Sequence, residues 1–357
     1  MSLLARVRPE LAAFRPYASA RRSGFSARIR LDANESPWDV SDDGSGQIAD
    51  LNRYPSPQPD DLRAGLAALY GVDADQLWLG RGSDEAIDLL LRAFCRPGRD
   101  NIVTFTPTFG MYKIGAQLQG AQFRAIALEA DSGFALDIER LLALTDDDTK
   151  IVILCSPNNP GGTLYHEHIA PLAERLAGRA LLLVDEAYIE FAGIDSAASH
   201  IARHANVAVL RTLSKAHALA GARVGALIAR PDIIDLIARI AAPYPLPTPS
   251  VLAALLALEE RAITRMYTRV SRIVGERERV SAALATFSDV RTVWPSAGNF
   301  VLVRFADAAI AFNRLLGADI LVRDFSAHPG LEHCLRITIG RPEDNDALLD
   351  ALGGPRR

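Results

Sequence analysis

The chain has 357 residues, 49% of them hydrophobic and 23% charged, with a net charge of −4. That length suggests two domains at about 150 residues each, and the mild acidity leaves no electrostatic footprint for nucleic acid or an anionic membrane. The longest apolar run, residues 251–258, is far short of the ~20 residues needed to cross a bilayer. The N-terminal stretch alternates apolar residues with Arg and carries no signal-peptide core. Cys95, Cys155 and Cys334 are odd in number, widely spaced and set mostly among aliphatic residues. They read as buried thiols, not as a disulfide framework or a metal pattern. A cytoplasmic location is expected.

Along the chain, the first fifty residues are irregular: an Arg-rich stretch, then residues 32–38, then a Gly/Ser/Asp run at 41–46. Tyr54-Pro55-Ser56-Pro57-Gln58-Pro59 cannot continue a helix and must extend or turn. Residues 61–70 carry a helical pattern, 77–79 a short strand, and 83–94 helical apolar spacing at Ile87, Leu90, Leu91 and Phe94. Short apolar runs follow at 102–105, 151–155, 181–184, 207–210 and 224–229. Strands buried on both faces read this way, and the helical stretches between most of them predict a mostly parallel sheet with helices on both sides. A second Pro cluster spans 243–249, a long helical stretch runs on to about residue 284, and strands at 299–304 and 334–339 mix with helices. The expected class is α/β. A large, mostly parallel α/β/α sheet domain covers 51–248 and a smaller α+β domain covers 249–357, with segment 1–50 packed against the smaller one.

The segment Leu210-Arg211-Thr212-Leu213-Ser214-Lys215 leaves a strand and presents two hydroxyls and an amine together. The chain has only three lysines, Lys113, Lys150 and Lys215, and otherwise prefers Arg. An isolated lysine hints at amine chemistry that a guanidinium cannot do, such as a Schiff base to an aldehyde cofactor whose anionic group the hydroxyls and Arg223 hold. A solvated surface lysine fits this segment equally well. Residues 181–188 run from a buried strand into Asp185, Glu186 and Tyr188, poised towards the ligand side of a doubly wound sheet or simply capping the next helix. Residues 151–162 end a strand in a stiff loop holding Asn158 and Asn159 between Pro157 and Pro160; a plain turn is the alternative. Gly80-Arg81-Gly82-Ser83-Asp84-Glu85 is a glycine-flanked helix start whose free N–H groups form an anion cup. Ordinary capping explains the same residues.

Together these segments resemble the fold-type I, pyridoxal-phosphate-dependent aminotransferases. The carriers are Asn158 in SPNNPGG, Asp185 and Tyr188 in VDEAY, and Lys215 with Arg223 in TLSKAHALAGAR. The segments LDANE, LNRYP, GRGSDEAIDLLLRAFCRPG, PTFGMY, APYPLPTP and CLRITIGRPEDN are similar, within that family, to the histidinol-phosphate aminotransferase group over about residues 15–350. The resemblance implies that Lys215 carries pyridoxal phosphate covalently and then moves protons at the substrate. It implies that Asp185 keeps the ring nitrogen protonated, that Tyr188 and Asn158 bond the phenolic oxygen, and that Phe109 stacks on the ring. The phosphate would rest on the main-chain N–H groups of Ser83 and Asp84 with Ser214 and Arg223, and Tyr54 would reach in from the second subunit of a homodimer. Arg336 would take the substrate α-carboxylate, and Tyr17 and Arg323 the phosphate of histidinol phosphate. The amino acceptor would be 2-oxoglutarate. Three positions depart from the pattern: Phe109 where Tyr is frequent, Gly161-Gly162 for Thr-Gly, and His217 for Phe.

Other readings of the same residues are an aminotransferase for aromatic amino acids and a decarboxylase of a phosphorylated amino acid. A carboxylate clamp at Arg336 disfavours the decarboxylase. A ligand sensor attached to a DNA-binding head is disfavoured by the acidic charge and by the lack of a helix-turn-helix pattern before residue 60. His166 and His168 would diverge on a helix, so no metal site is expected.

Overall fold

The computed structural model describes residues 3–11, 14–15, 32–38 and 51–353. Seven strands form the larger sheet: β1 (Leu77–Gly80), β2 (Asn101–Thr106), β3 (Gln122–Ala127), β4 (Thr149–Cys155), β5 (Leu181–Asp185), β6 (Val207–Thr212) and β7 (Gly225–Ile228). Their order is β1-β7-β6-β5-β4-β2-β3, and only β7 runs against its neighbours. Alternation along the central strands assigns the core. Ile151 and Ile153 of β4, Leu181 and Leu183 of β5, and Ala208 and Leu210 of β6 enter one buried cluster. Val152, Leu154, Leu182, Val184, Val207 and Val209 enter another. Successive side chains point to opposite faces, so a sheet apolar at every position has to be covered twice.

The coverings follow from the sequence pattern. Helix α1 (Asp60–Tyr70) places Leu62, Leu66 and Tyr70 in one buried stripe and ends at Gly71, whose φ of 66° is the left-handed cap. Helices α2 (Ser83–Phe94) and α3 (Met111–Gln119) cover the opposite face. Gln58 protects the outer edge of β1. Its side chain accepts from the Leu79 N–H at 2.8 Å and donates to the Leu79 carbonyl at 2.9 Å, as a neighbouring strand would.

Short α4 (Ile138–Ala143) and α5 (Ile169–Arg175) and longer α6 (Pro231–Ile240) complete the first layer set. The long helical stretch expected after the second Pro cluster is two helices, α7 (Thr248–Ala257) and α8 (Glu260–Leu284), separated by an extended Glu259. The break has a packing cause. Ala254 of α7 is buried with the large sheet, whereas Val280 and Leu284 of α8 are buried with a second sheet. That sheet, β10-β11-β9-β8, comprises β8 (Val290–Val293), β9 (Phe300–Phe305), β10 (Arg323–Asp324) and β11 (Cys334–Thr338), all antiparallel. It is backed by α9 (Ala308–Gly317) and α10 (Pro342–Ala351). Trp294 and Leu302 reach back into the large-sheet cluster, and the Trp294 indole donates to the Ala130 carbonyl at 3.1 Å.

One expectation needs correcting over its described part. Leu3, Val7 and Leu11 pack on the cluster of α2 and α3, and the Arg8 N–H donates to the Ala93 carbonyl at 3.0 Å. The start of the chain therefore packs on the large sheet's outer helices, because its apolar residues match the exposed edge of α2 and not the smaller sheet.

The seating of α2 is tight. Gly80 pairs with Gly225 across the β1–β7 ladder, and a Cβ on Gly225 would lie 2.4 Å from both the Ser83 nitrogen and the Gly82 carbonyl carbon. Gly225→Ala is expected to cost about 2 kcal/mol or more in chemical denaturation, in the range of overpacked cores. A variant as stable as the parent would show that the helix start is not seated on this strand.

Candidate active site

The carboxyl ends of β4, β5 and β6 finish side by side at Cys155, Asp185 and Thr212. Ligands of doubly wound sheets bind beyond such ends, and a cavity opens there. Ser83 and Asp84 from the start of α2, Phe109 ahead of α3, Asp185 and Tyr188 after β5, and Ser214, Lys215 and Arg223 after β6 all line it. Residues spread over 140 positions of sequence are thus brought to one place.

Asp185 is only 3% exposed. Burial pushes its carboxyl pKa up, against two hydrogen bonds that favour the charged form: Tyr112 Oη–H at 2.6 Å and the Ala187 N–H at 3.1 Å. Tyr112 is itself buried, which drives its phenol well above the ordinary range, and the Asp185 charge adds to the rise. The phenol is therefore a fixed donor. Tyr188 is buried, edge-on to Phe300 at 5.1 Å, and its oxygen accepts from Asn159 Nδ2 at 3.3 Å. The Lys215 ammonium lies 5.6 Å from the centre of the Tyr188 ring. Lys215 is open to the cavity, yet the walls partly desolvate its amine and lower its pKa, and Arg336 and Arg223 lower it further.

At the other end of the cavity, no side chain caps the first N–H groups of α2, which follow Gly82 at φ 81°. These donors are free for an anion. Around them, Thr212 Oγ1 donates to Ser214 Oγ at 2.9 Å, and Arg223 donates to Ser214 Oγ at 3.4 Å and to Asp84 at 3.1 Å. The arrangement fits a phosphate: a helix start, two hydroxyls and a guanidinium, with Asp84 neutralising Arg223 in the free protein. Between cup and amine, Phe109 offers a ring face, edge-on to Tyr112 at 5.6 Å. A flat, phosphorylated, cationic heterocycle has its acid, its stacking wall and its anion cup here.

Arg336 on β11 closes the site from the smaller sheet. Its guanidinium lies 5.4 Å from the ring centres of both Phe300 and Phe325, and it donates to Asn159 Oδ1 at 2.5 Å. Its Nε is buried without a partner, which leaves a donor for an incoming carboxylate. Arg323 faces Arg336 across the β10–β11 ladder, is exposed, and has no acidic partner among the described residues.

Asn158 needs correcting. Its side chain accepts from Thr108 at 2.9 Å and donates to the Pro107 carbonyl at 3.0 Å, wholly buried in the loop. Asn159 is the residue on the cavity wall, joined to Tyr188 and Arg336. Two adjacent asparagines cannot both face one cavity from extended chain, and the sequence alone does not say which does. Tyr112 and Thr212 were also missed as participants. Tyr112 stands one helical turn after Phe109, a spacing that puts both on one side. Tyr54 is half-exposed, stacks on Tyr244 at 4.5 Å and lines a different hollow with Glu35 and Pro247. Tyr17 lies outside the described residues.

Residues 28–352 match the model of the aminotransferase class I and II family. The chain belongs to that family. Among its relatives, a histidinol-phosphate aminotransferase of Stenotrophomonas maltophilia is 50% identical, covering 99% of this chain and 97% of its own. One of Xanthomonas euvesicatoria is 48% identical over 98% of this chain and 97% of its own. Among solved structures, the histidinol-phosphate aminotransferase of Sinorhizobium meliloti in complex with pyridoxal-5'-phosphate superposes with a TM-score of 0.76 at 28% identity, over 84% of this chain and 82% of that one.

The buried acid has a measurable signature. A carboxyl whose folded pKa is raised binds its proton more tightly when folded, so it weakens the ligand-free protein progressively as pH rises from the unfolded value through the folded one. Asp185→Asn is therefore expected to stabilise the ligand-free protein at neutral pH, the gap closing towards pH ~4. Thermal unfolding across pH tests this, and a variant less stable than the parent at every pH would refute it.

Proposed function

We propose that this chain is a histidinol-phosphate aminotransferase. It exchanges the amino group of L-histidinol phosphate with 2-oxoglutarate, using pyridoxal 5'-phosphate held by Lys215. The observation that carries the reading is the meeting of a desolvated amine, a buried acid and an anion cup in one cavity, with the Arg336 guanidinium bonded to the cavity-wall residue Asn159 and keeping its Nε unpaired among the described residues. The 50% identity to a relative of that name over almost the whole chain supports the substrate assignment. An aromatic-amino-acid specificity remains the second reading, because Phe300 and Phe325 flank Arg336 and would suit an aromatic side chain as well as an imidazole.

When bound, the cofactor supplies an aldehyde to bond an amine and a cationic ring that withdraws electrons from the substrate Cα. The chain's own residues do the rest. Lys215 has its pKa lowered, which enlarges the fraction of free amine, the form that bonds a carbonyl carbon and takes a proton from Cα. Asp185, held by Tyr112 and the Ala187 N–H, would serve the ring nitrogen as a carboxylate. A cation beside it reverses the effect of burial on its pKa. Tyr188 and Asn159 would serve the phenolic oxygen, and Phe109 would pack on the ring. Ser83 and Asp84 offer N–H groups to the phosphate, joined by Thr212, Ser214 and Arg223. Arg336 turns its fork on the α-carboxylate, displacing its bond to Asn159. Arg323, exposed one strand away, takes the distal anion: the phosphate of one substrate or the second carboxylate of the other.

Tyr54 sits outside the cavity of its own chain, which supports a homodimer in which it serves the partner's phosphate cup. Exposed Leu252 and Leu256 of α7 supply apolar surface for such a contact. A cytoplasmic location agrees with three buried thiols.

The test is a half-reaction panel. The cofactor-loaded protein is mixed with histidinol phosphate, phenylalanine, phosphothreonine or glutamate, and conversion to the amine form is followed by absorbance. Histidinol phosphate and glutamate should react fastest, and Lys215→Ala should lose the near-visible band that borohydride removes from the parent. Arg336→Ala is expected to lower kcat/KM about 100-fold or more for every carboxylate-bearing donor, whereas Arg323→Ala selectively impairs phosphate-bearing and dicarboxylic donors. Phenylalanine outpacing histidinol phosphate would overturn the substrate, and equal losses across the panel would overturn the division between the two arginines.

A further inference from the structure

Each main residue of the cavity has a close neighbour in sequence that points away from it. Glu186 follows Asp185, Glu190 stands two beyond Tyr188, and His217 stands two beyond Lys215. Glu186 and Glu190 converge on Arg211 of β6, and His217 is buried within electrostatic reach of Glu190 and Arg211. Arg211 donates to Glu190 Oε1 at 2.9 Å, lies 3.8 Å from Glu186, and has its guanidinium 4.4 Å from the centre of the Tyr70 ring. Glu186 is fully buried and accepts from the Ser196 hydroxyl and the Ala197 N–H. Glu190, Arg211 and Glu186 are thus tied to one another. His217 is the exception: it is 8% exposed and its Nδ1 has no hydrogen-bond partner among the described residues.

Two more atoms of the same cluster are buried without partners, Arg211 Nε and Glu190 Oε2. Buried polar atoms are normally satisfied, and these three are chemically complementary: a guanidinium N–H, an imidazole N–H and a carboxylate oxygen able to accept both. The charged groups that act on His217 are Glu190 and Arg211, and burial favours its neutral ring, which has one proton to donate. The turn it belongs to needs holding. Two backbone bonds close it, from the Ala218 N–H to the Lys215 carbonyl at 3.1 Å and from the Leu219 N–H to the Leu213 carbonyl at 3.0 Å, and Ala218 has φ 58°. A residue with a Cβ is strained there.

We propose that His217 is a positioning residue: its Nδ1–H engages the free Oε2 of Glu190, directly or across one bound water, and ties the turn that carries Lys215 to the Arg211 cluster, so that the amine stays directed at Tyr188 and Asp185. The proposal rests on Lys215 being the cofactor lysine. Loss of the cofactor band in Lys215→Ala tests that reading by itself, whatever His217 does.

The variants are His217→Phe, which fills the space without a donor, His217→Asn, whose amide nitrogen overlays Nδ1, and Glu190→Gln. His217→Phe is expected to lower kcat about 10-fold with KM for the amino donor within about twofold of the parent. It should also shift the pH at which the bound cofactor's absorbance titrates by about half a unit or more. His217→Asn should restore both. In cofactor-free protein labelled with 15N-histidine, the His217 Nδ1 proton should be protected from exchange in the parent and unprotected in Glu190→Gln. Equal exchange in those two proteins overturns the contact. A Phe variant that matches the parent in kcat and titration overturns the positioning role. So do Phe and Asn variants that lose activity alike in step with a fall in Tm, because packing alone then accounts for the site.

Discussion

The Asp185 carboxyl ends a strand in which every residue is buried, and the surrounding structure answers the cost of placing an ionisable acid there. An isolated buried carboxylate is expensive, so the protein supplies a phenol that burial keeps protonated, a backbone N–H and a nearby amine. None of these neutralises the acid fully, and its pKa stays raised in the free chain. The low local dielectric that destabilises the free carboxylate would equally strengthen its attraction to any cation placed beside it.

Strand alternation lets one backbone serve two purposes. Asp185 faces α3 and the cavity, while Glu186 turns to the Arg211 cluster on the other face. Positions 188 and 190, and 215 and 217, divide in the same manner across turns. The chemistry is thereby carried on a polar foundation, and a shift in that foundation must move several cavity residues together. Burial pushes Glu186 up to about 7, so near neutrality this foundation is balanced between holding two carboxylates and holding one against the single guanidinium of Arg211.

Much of the large sheet was legible because its central strands carry unbroken apolar runs, and β4, β5 and β6 appear as expected. β3 was not, since as an edge strand only Ile126 is buried and Arg124 interrupts the run. Most of the candidate site could be read from motifs that end those strands, but orientation could not. Asn158 and Asn159 are chemically identical, and only the hydrogen bonds of the first to Thr108 and Pro107 reveal that the second is the one left facing the cavity. Tyr112 escaped notice for a related reason. It sits inside a helix, where an aromatic residue is ordinarily core, and its role appears only when the end of β5 is brought against that helix.

The smaller sheet enters the site through one residue, and the consequences extend beyond that contact. Arg336 is held between two aromatic rings of its own domain, yet its one described hydrogen bond goes to Asn159 of the large sheet. The bond competes with a substrate carboxylate for the same guanidinium. On the proposed function, a carboxylate that takes Nη1 of Arg336 as well as Nε would release Asn159, which remains bonded to Tyr188. Under that same proposed function, carboxylate recognition would in this way be connected to the hydrogen bonding of Tyr188, through side chains that join the two sheets.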